Sequence, residues 1–254
     1  MDATKLANAI CPGLIHPQVR YKELLRGLLQ PGVRWLDLGC GHEIVRSWTL
    51  LPGENEASLT VAPALCVGID SDGDALRKNH SMPHLVAGSI CALPFADGSF
   101  DVITANMVVE HADRPEALLS EVWRVLRPKG VFVFHTPNKY YPASLLAGLV
   151  PAEIKSRLVA RISGRDENDV YPTFYRLNTS PAISGRSEVV GFRIKHSEVL
   201  ETLTYHPRRA LFLPYLAVAW LLRRKWLRKF QADFMVMLCK PDVGCACPRL
   251  ERHA

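Results

Sequence analysis

Val33-Arg34-Trp35-Leu36-Asp37-Leu38-Gly39-Cys40-Gly41 decides how this chain is read. A short apolar run breaks into two glycines one residue apart. That pattern is a strand ending in a tight turn, where bare peptide groups can meet a ligand. A helix expected over residues 44–51 would add its N-terminal N–H groups to the same place. Three ligand classes use such a turn. A phosphate-cradling loop needs Gly-Lys-Ser/Thr at its end, and none follows. A dinucleotide site wants a third glycine where Ile44 stands. A nucleoside-type cofactor without phosphates remains, beside a bare βα turn that holds nothing.

The neighbouring segments set this turn in a repeating frame. Apolar runs at Leu65–Ile69, Leu85–Ala87, Phe100–Ala105 and Val131–Phe134 read as further strands. Helical spacing appears over Val19–Leu29, over Asp72–Asn79 with Asp72 as cap, and over Arg114–Leu126 with Leu118, Leu119, Val122, Val125 and Leu126 on one stripe. Arg127-Pro128-Lys129-Gly130 reads as the stop of that last helix. Ser180–Val190, before Gly191-Phe192, reads as one more helix; strands near 193–204 and Asp233–Leu238 close the sheet. Strands alternating with helices predict a doubly wound α/β domain with helices on both faces and loops gathered at the strand C-termini. Asp70 ends the second strand, one strand from the glycines, where a carboxylate can accept both hydroxyls of a ribose.

The 254 residues, 48% of them hydrophobic, suit a single domain over 1–254 with its core at 33–139. Composition excludes a disordered or collagen-like chain. The net charge of +6 permits, without demanding, contact with nucleic acid or an anionic membrane. Of seven scattered cysteines, Cys40, Cys66, Cys91 and Cys239 read as small core residues of a reducing compartment, and the pair Cys245/Cys247 lacks a matching pair for a metal. No signal peptide is visible at the N-terminus, so a cytoplasmic location is expected.

Several ordered segments carry a resemblance. Leu36-Asp37-Leu38-Gly39-Cys40-Gly41 resembles the first motif of class I SAM-dependent methyltransferases, and Gly68-Ile69-Asp70 resembles their second. Leu93-Pro94-Phe95-Ala96-Asp97-Gly98-Ser99-Phe100-Asp101-Val102-Ile103 is similar to the third and fourth. Glu110-His111 and Glu121-Val122-Trp123-Arg124-Val125-Leu126-Arg127-Pro128-Lys129-Gly130 resemble the type-11 branch. The resemblance implies a Rossmann-like, seven-stranded sheet, mostly parallel with its last strand antiparallel, and S-adenosyl-L-methionine (SAM) as methyl donor. It implies that Gly39, Cys40 and Gly41 face the methionine part of SAM and that Asp37 orients the turn. Asp70, with Ser71, would hold the ribose; Ser89-Ile90 would meet the adenine; Asn106 would contact the amino-acid end. The chain departs from the pattern at Glu43, which replaces a third glycine, and at Ser89, which replaces an acid.

Methyl transfer from a sulfonium needs positioning, exclusion of water and, for an O or N acceptor, a base. His111, after the fourth strand, is the first candidate; His135, ending the fifth, is the second. Nucleic acid is disfavoured as acceptor, because Ala105-Asn106-Met107-Val108 stands where adenine-amine enzymes carry an Asn/Asp-Pro-Pro-aromatic signature. A small-molecule, lipid-linked or glycan acceptor is expected. A non-catalytic SAM-fold protein and an NAD(P)-linked oxidoreductase are the rivals. Residues 140–178 read as a helical lid over the cleft, with Tyr140 and Tyr141 placed to shape the acceptor pocket and Tyr171, Phe174, Tyr175 and Arg176 in the lid itself. Residues 206–230 read as an insertion whose apolar core, Ala210–Leu222, is too short to span a membrane. Its tryptophans and clustered cations suit a helix lying on an anionic membrane surface; internal packing or dimerisation is the alternative.

Overall fold

The computed structural model describes residues 15–142, 144–145, 171–201 and 217–242. In chain order the elements are α1 (Pro17–Leu28), β1 (Arg34–Leu38), β2 (Leu65–Asp70), α2 (Gly73–Lys78), β3 (His84–Ala87), β4 (Phe100–Asn106), α3 (Pro115–Val125), β5 (Leu126–Pro137), α4 (Ser180–Val190), β6 (Arg193–Leu200) and β7 (Asp233–Cys239). The seven strands form one sheet in the order β3-β2-β1-β4-β5-β7-β6. The pairs among β1 to β5 are parallel, and β7 runs antiparallel to both its neighbours. The expected architecture is therefore present, with the antiparallel strand last in sequence.

Strand alternation builds two cores. Leu36 and Leu38 of β1, Ile103 and Ala105 of β4, Phe132 and Phe134 of β5, and Phe234 and Val236 of β7 face one side of the sheet, with Leu118, Leu119 and Val122 of α3 and Ile183 of α4. Trp35, Val102, Val133 and Met235 face the other side, with Tyr21 and Leu25 of α1 and with Ile44 and Val45. The i, i+1, i+4, i+7 spacing of Leu118, Leu119, Val122 and Val125 puts all four on the buried face of α3. Asp72 caps α2 by accepting the N–H groups of Asp74 and Ala75, as its position predicts.

Two local expectations are corrected. Residues 44–51 hold no α-helix; between Gly41 and Leu65 only 3-10 turns at Ser47–Thr49 and Glu56–Leu59 appear. Ile44 and Val45 are buried by tertiary packing, and Glu54 pins the loop to Lys22 and Arg26 of α1. The residues 127–130 do not end a helix in a free turn. They bulge within β5, where the register against β4 shifts between Phe100 and Val102. There Lys129 N–H donates to Lys240 O at 2.8 Å and Lys240 N–H to Gly130 O at 3.0 Å. Of the expected lid, 171–178 is extended and turn-like rather than helical, and 146–170 lies outside the described residues. So do Cys245, Cys247, residues 202–204 of the strand expected near 193–204 and residues 206–216 of the expected insertion. Cys40 and Cys66 are buried, whereas Cys91 and Cys239 are partly exposed; all four are free thiols.

Candidate active site

The C-terminal ends of β1, β2 and β4 open into a cavity of about 480 Å³. Gly39 and Gly41 turn with φ of 62° and 50°, a conformation costly for any residue with a Cβ. Gly39 is pressed from behind: a Cβ there would stand 2.4 Å from Val108 Cγ2. At Gly41 a Cβ would meet no atom within 4 Å and would project into open space. The pair forms a turn backed by protein on one side and bare on the other, which is a cradle for a ligand.

Asp70 closes this cradle from the next strand. Its Oδ2 accepts Gly41 N–H at 2.9 Å and its Oδ1 accepts Asp72 N–H at 2.9 Å. A carboxylate offers about four lone-pair sites, so both oxygens can still accept from a diol in the cavity. Asp37 is buried beneath the turn, where Thr104 Oγ1 donates to Oδ1 at 2.5 Å and Trp35 Nε1 donates to the same hydroxyl at 2.8 Å. Burial pushes the Asp37 carboxyl up to about 7, with Asp70 and Glu56 adding to the rise and the Thr104 hydrogen bond opposing it.

Every expected cofactor residue (Asp37, Gly39, Cys40, Gly41, Asp70, Ser71, Ser89, Ile90, Asn106) lines this one cavity. The two histidines part company. His111 lines it; His135 is buried behind Asn106, with its Nδ1–H donating to Asn106 Oδ1 at 2.9 Å and its Nε2 3.5 Å from Asp233 Oδ2. His111 Nδ1 stands 2.7 Å from Pro172 O. A carbonyl only accepts, so Nδ1 carries the proton and Nε2 is the basic nitrogen of the neutral ring. Tyr140 and Tyr141 are not among the lining residues; Tyr171 and Phe174 are.

Sequence reasoning missed two features. Gln18 of α1 reaches the cavity, exchanging two hydrogen bonds with Asn106: Asn106 Nδ2 to Gln18 Oε1 at 2.9 Å, and Gln18 Nε2 to Asn106 Oδ1 at 3.2 Å. Its position in the first turn of a helix read only for its apolar stripe gave no signal. Glu43 is ion-paired with Arg46, both on the lining. Residues 171–176, read from the sequence as part of the lid, lie at the cavity as an extended strap: Tyr171 donates to Asp72, Phe174 N–H donates to Glu110 O at 2.8 Å, and Arg176 donates to Asp113 O at 2.6 Å.

Carboxylates dominate the lining. Asp37, Glu43, Asp70, Asp72 and Asp113 face it, and Arg46 supplies the one Lys or Arg among the described lining residues. Such a lining suits a ligand with a cationic centre and opposes one carrying phosphates. The residues present therefore fit SAM, a sulfonium with a ribose diol and no phosphate, and do not fit NAD(P).

Fold and cleft together are like those of SAM-dependent methyltransferases of Rossmann-like architecture. More narrowly, residues 36–134 match the model of a family described as a methyltransferase domain. The chain is 30% identical over 110 residues to the malonyl-[acyl-carrier protein] O-methyltransferase of Serratia marcescens, covering 43% of this chain and 40% of that one. It is 28% identical over 197 residues to squalene methyltransferase 1 of Botryococcus braunii, covering 68% of this chain and 50% of that one. It thus spans half or less of these relatives. The solved SAM-dependent methyltransferase of Mesorhizobium loti superposes with a TM-score of 0.55 at 18% identity, over 85% of this chain and 96% of that one, a likeness of fold.

Proposed function

We propose that this protein transfers a methyl group from SAM to an O or N atom of a small-molecule, lipid-linked or glycan acceptor. The observation that carries this reading is the acidic cavity at the glycine turn, with Asp70 and His111 on one lining. The name of one relative, an O-methyltransferase acting on an acyl-carrier-bound malonyl group, supports an oxygen acceptor from the lipid side of that range; squalene, the hydrocarbon named for the other, has no O or N atom and supports the lipid side alone.

In this reading Gly39 and Gly41 seat the methionine end and Asp70 accepts the ribose hydroxyls. Asn106 meets the amino-acid end, its amide held in one orientation by Gln18 and His135. Ser89 and Ile90 border the adenine. Bound SAM supplies an already activated methyl group, so the protein's work is to position, to exclude water and to take a proton. His111 Nε2 takes the acceptor's proton, because Pro172 O fixes the proton already on Nδ1. His135 positions Asn106 instead of acting as base. The strap 171–176 screens the mouth from solvent.

Calorimetry with SAM and with NAD tests the cofactor, followed by mass spectrometry of cell-extract molecules labelled from SAM. Micromolar SAM binding without NAD binding, and a labelled product lost in His111→Ala, is the expected result. No SAM binding would refute the proposal; SAM binding with no labelled product from any extract would favour a non-catalytic SAM-fold protein.

A further inference from the structure

The basic character of this chain is not spread over it. Between Glu201 and Asp233 there is no Asp or Glu, and there are seven Arg or Lys, so this segment carries +7 and the rest of the chain −1 of the net +6. Within its described part, a helical segment over 217–222 is anchored inward by Ala219 and Leu222, both buried. Its outward side chains are also apolar: Val218, Trp220 and Leu221 are exposed, and Trp226 in the following turn is 72% exposed. Arg224, Lys225, Arg228 and Lys229 are exposed among them, and none of these four is ion-paired among the described residues. Arg224 lies over the Trp220 ring at 4.5 Å, and Lys229 over Phe230 at 5.1 Å.

The fold leads this surface into the end of the sheet on which the cavity opens. Because β7 is antiparallel to β5, Asp233 at its start pairs with Pro137 at the C-terminal end of β5. That is the sheet edge where the glycine turn and Asn106 stand. Asn138 fixes the approach by donating from Nδ2 to Lys229 O and Gln231 O, each at 2.8 Å, while its N–H donates to Ala232 O at 2.7 Å.

We propose that Val218, Trp220, Leu221 and Trp226, with Arg224, Lys225, Arg228 and Lys229, form a docking face for the surface of an anionic lipid bilayer. Indole rings settle at the headgroup boundary, aliphatic side chains enter the acyl region beneath, and cations pair with acidic headgroups above. Valine and leucine have no comparable role against nucleic-acid phosphates, which favours a bilayer over a polynucleotide. No helix of the described residues is long and apolar enough to cross a membrane, so the contact is made from one side. Docked in this way, the sheet edge bearing the cavity borders the bilayer, where an amphiphilic molecule could reach it without passing through water. The proposal stands independently of the methyl-transfer reading, because vesicle binding is measured without SAM.

The full chain is tested by co-sedimentation with vesicles of phosphatidylcholine alone and of phosphatidylcholine with about 30% phosphatidylglycerol, near physiological salt. Binding to the anionic vesicles at least about tenfold tighter than to the neutral ones, released by high salt, is expected. The triple variant Arg224→Glu, Lys225→Glu, Arg228→Glu should lose about tenfold or more. Trp226→Ala should weaken the fluorescence quenching given by brominated lipid, and the double variant Trp220→Ala, Trp226→Ala should lose it. These side chains are exposed, so the thermal midpoints of the variants should stay within a few degrees of the parent, which separates lost docking from lost folding. Undetectable binding at low salt, or sedimentation of the triple variant equal to the parent's, would overturn the proposal. Binding to single-stranded polynucleotide without any quenching by brominated lipid would overturn it in favour of a nucleic-acid surface.

Discussion

Asp70 Oδ2 accepts the backbone N–H of Gly41 at 2.9 Å, which ties the end of β2 to the turn after β1. The same carboxylate is therefore both a fastener of the cradle and its ribose acceptor. Replacing Asp70 with Ala should weaken SAM binding by about 100-fold, since two charge-assisted hydrogen bonds are lost. Stability should fall far less, because Asp72 keeps the cap of α2. Calorimetry paired with thermal unfolding reads both; a SAM affinity changed less than threefold would take the ribose away from Asp70.

The two glycines of the turn should fail in different ways. Gly39→Ala drives a Cβ into Val108 and should destabilise the fold by a few kcal/mol. The double variant with Val108→Ala should regain part of that loss. Gly41→Ala meets no atom, so about 1 kcal/mol from its positive φ is expected, together with a disproportionate loss of SAM affinity. Urea unfolding with and without SAM separates them; equal stability losses in the two variants would contradict the account of the cradle.

His111→Ala should lower kcat by about 10² to 10⁴ while leaving the Kd for SAM within threefold, as expected of a base that touches the acceptor. Single-turnover methylation of the identified acceptor is the measurement. An unaltered rate would assign His111 to holding the strap through Pro172 and to nothing more.

The pH dependence of stability contains two opposed contributions. Burial raises Asp37 to about 7, so the native state holds a proton that the unfolded chain has released above about pH 4; Asp37 makes stability fall as pH rises from 4 to 7. His16, the N-cap of α1, is lowered to about 4, by burial first and by His135 second, against the pull of Asp233. It favours the neutral native ring, so its contribution rises with pH from 4 to 6.5. Asp37→Asn should remove the falling component. Stability of that variant should then climb between pH 4 and 6.5 and stay level above. A variant whose stability still fell between pH 6.5 and 7 would place the raised group elsewhere.

Much of this was legible from local pattern, and the failures have specific causes. Ser180–Val190 forms the helix its spacing predicts, because Pro181 at its second position, a Thr179 cap and Gly191 beyond its end are local signals. Residues 44–51 do not form theirs. Ile44 and Val45 look like one helical face, yet the buried surface that receives them belongs to α1 and the sheet, and Glu54 is drawn to Lys22 and Arg26. Pro128 and Gly130 read as a stop because local chemistry favours a turn there. The hydrogen bonds with Lys240, over 100 residues away in the chain, hold them in β5 instead. The motif residues Glu121 and Arg124 illustrate a different limit. Their pattern marks the family, but their work is structural: Arg124 Nη2 donates to Leu93 O at 2.9 Å and Nη1 to Phe95 O at 2.7 Å, while Glu121 accepts Leu93 N–H at 2.7 Å.

The sequence by itself determined the alternation of strands and helices, the glycine turn and the carboxylate one strand over, because each is set by spacing along a few residues. Only the tertiary structure separated His111, on the cavity, from His135, behind Asn106, although one follows β4 and the other lies near the end of β5, two strands that end at the same edge. It alone brought Gln18 to Asn106, 88 residues apart, and led the cationic, tryptophan-bearing approach to β7 into the end of the sheet on which the cleft opens. Those relations depend on which strands become neighbours and in which direction. That choice is made by burying both faces of the sheet at once, and no short stretch of sequence contains it.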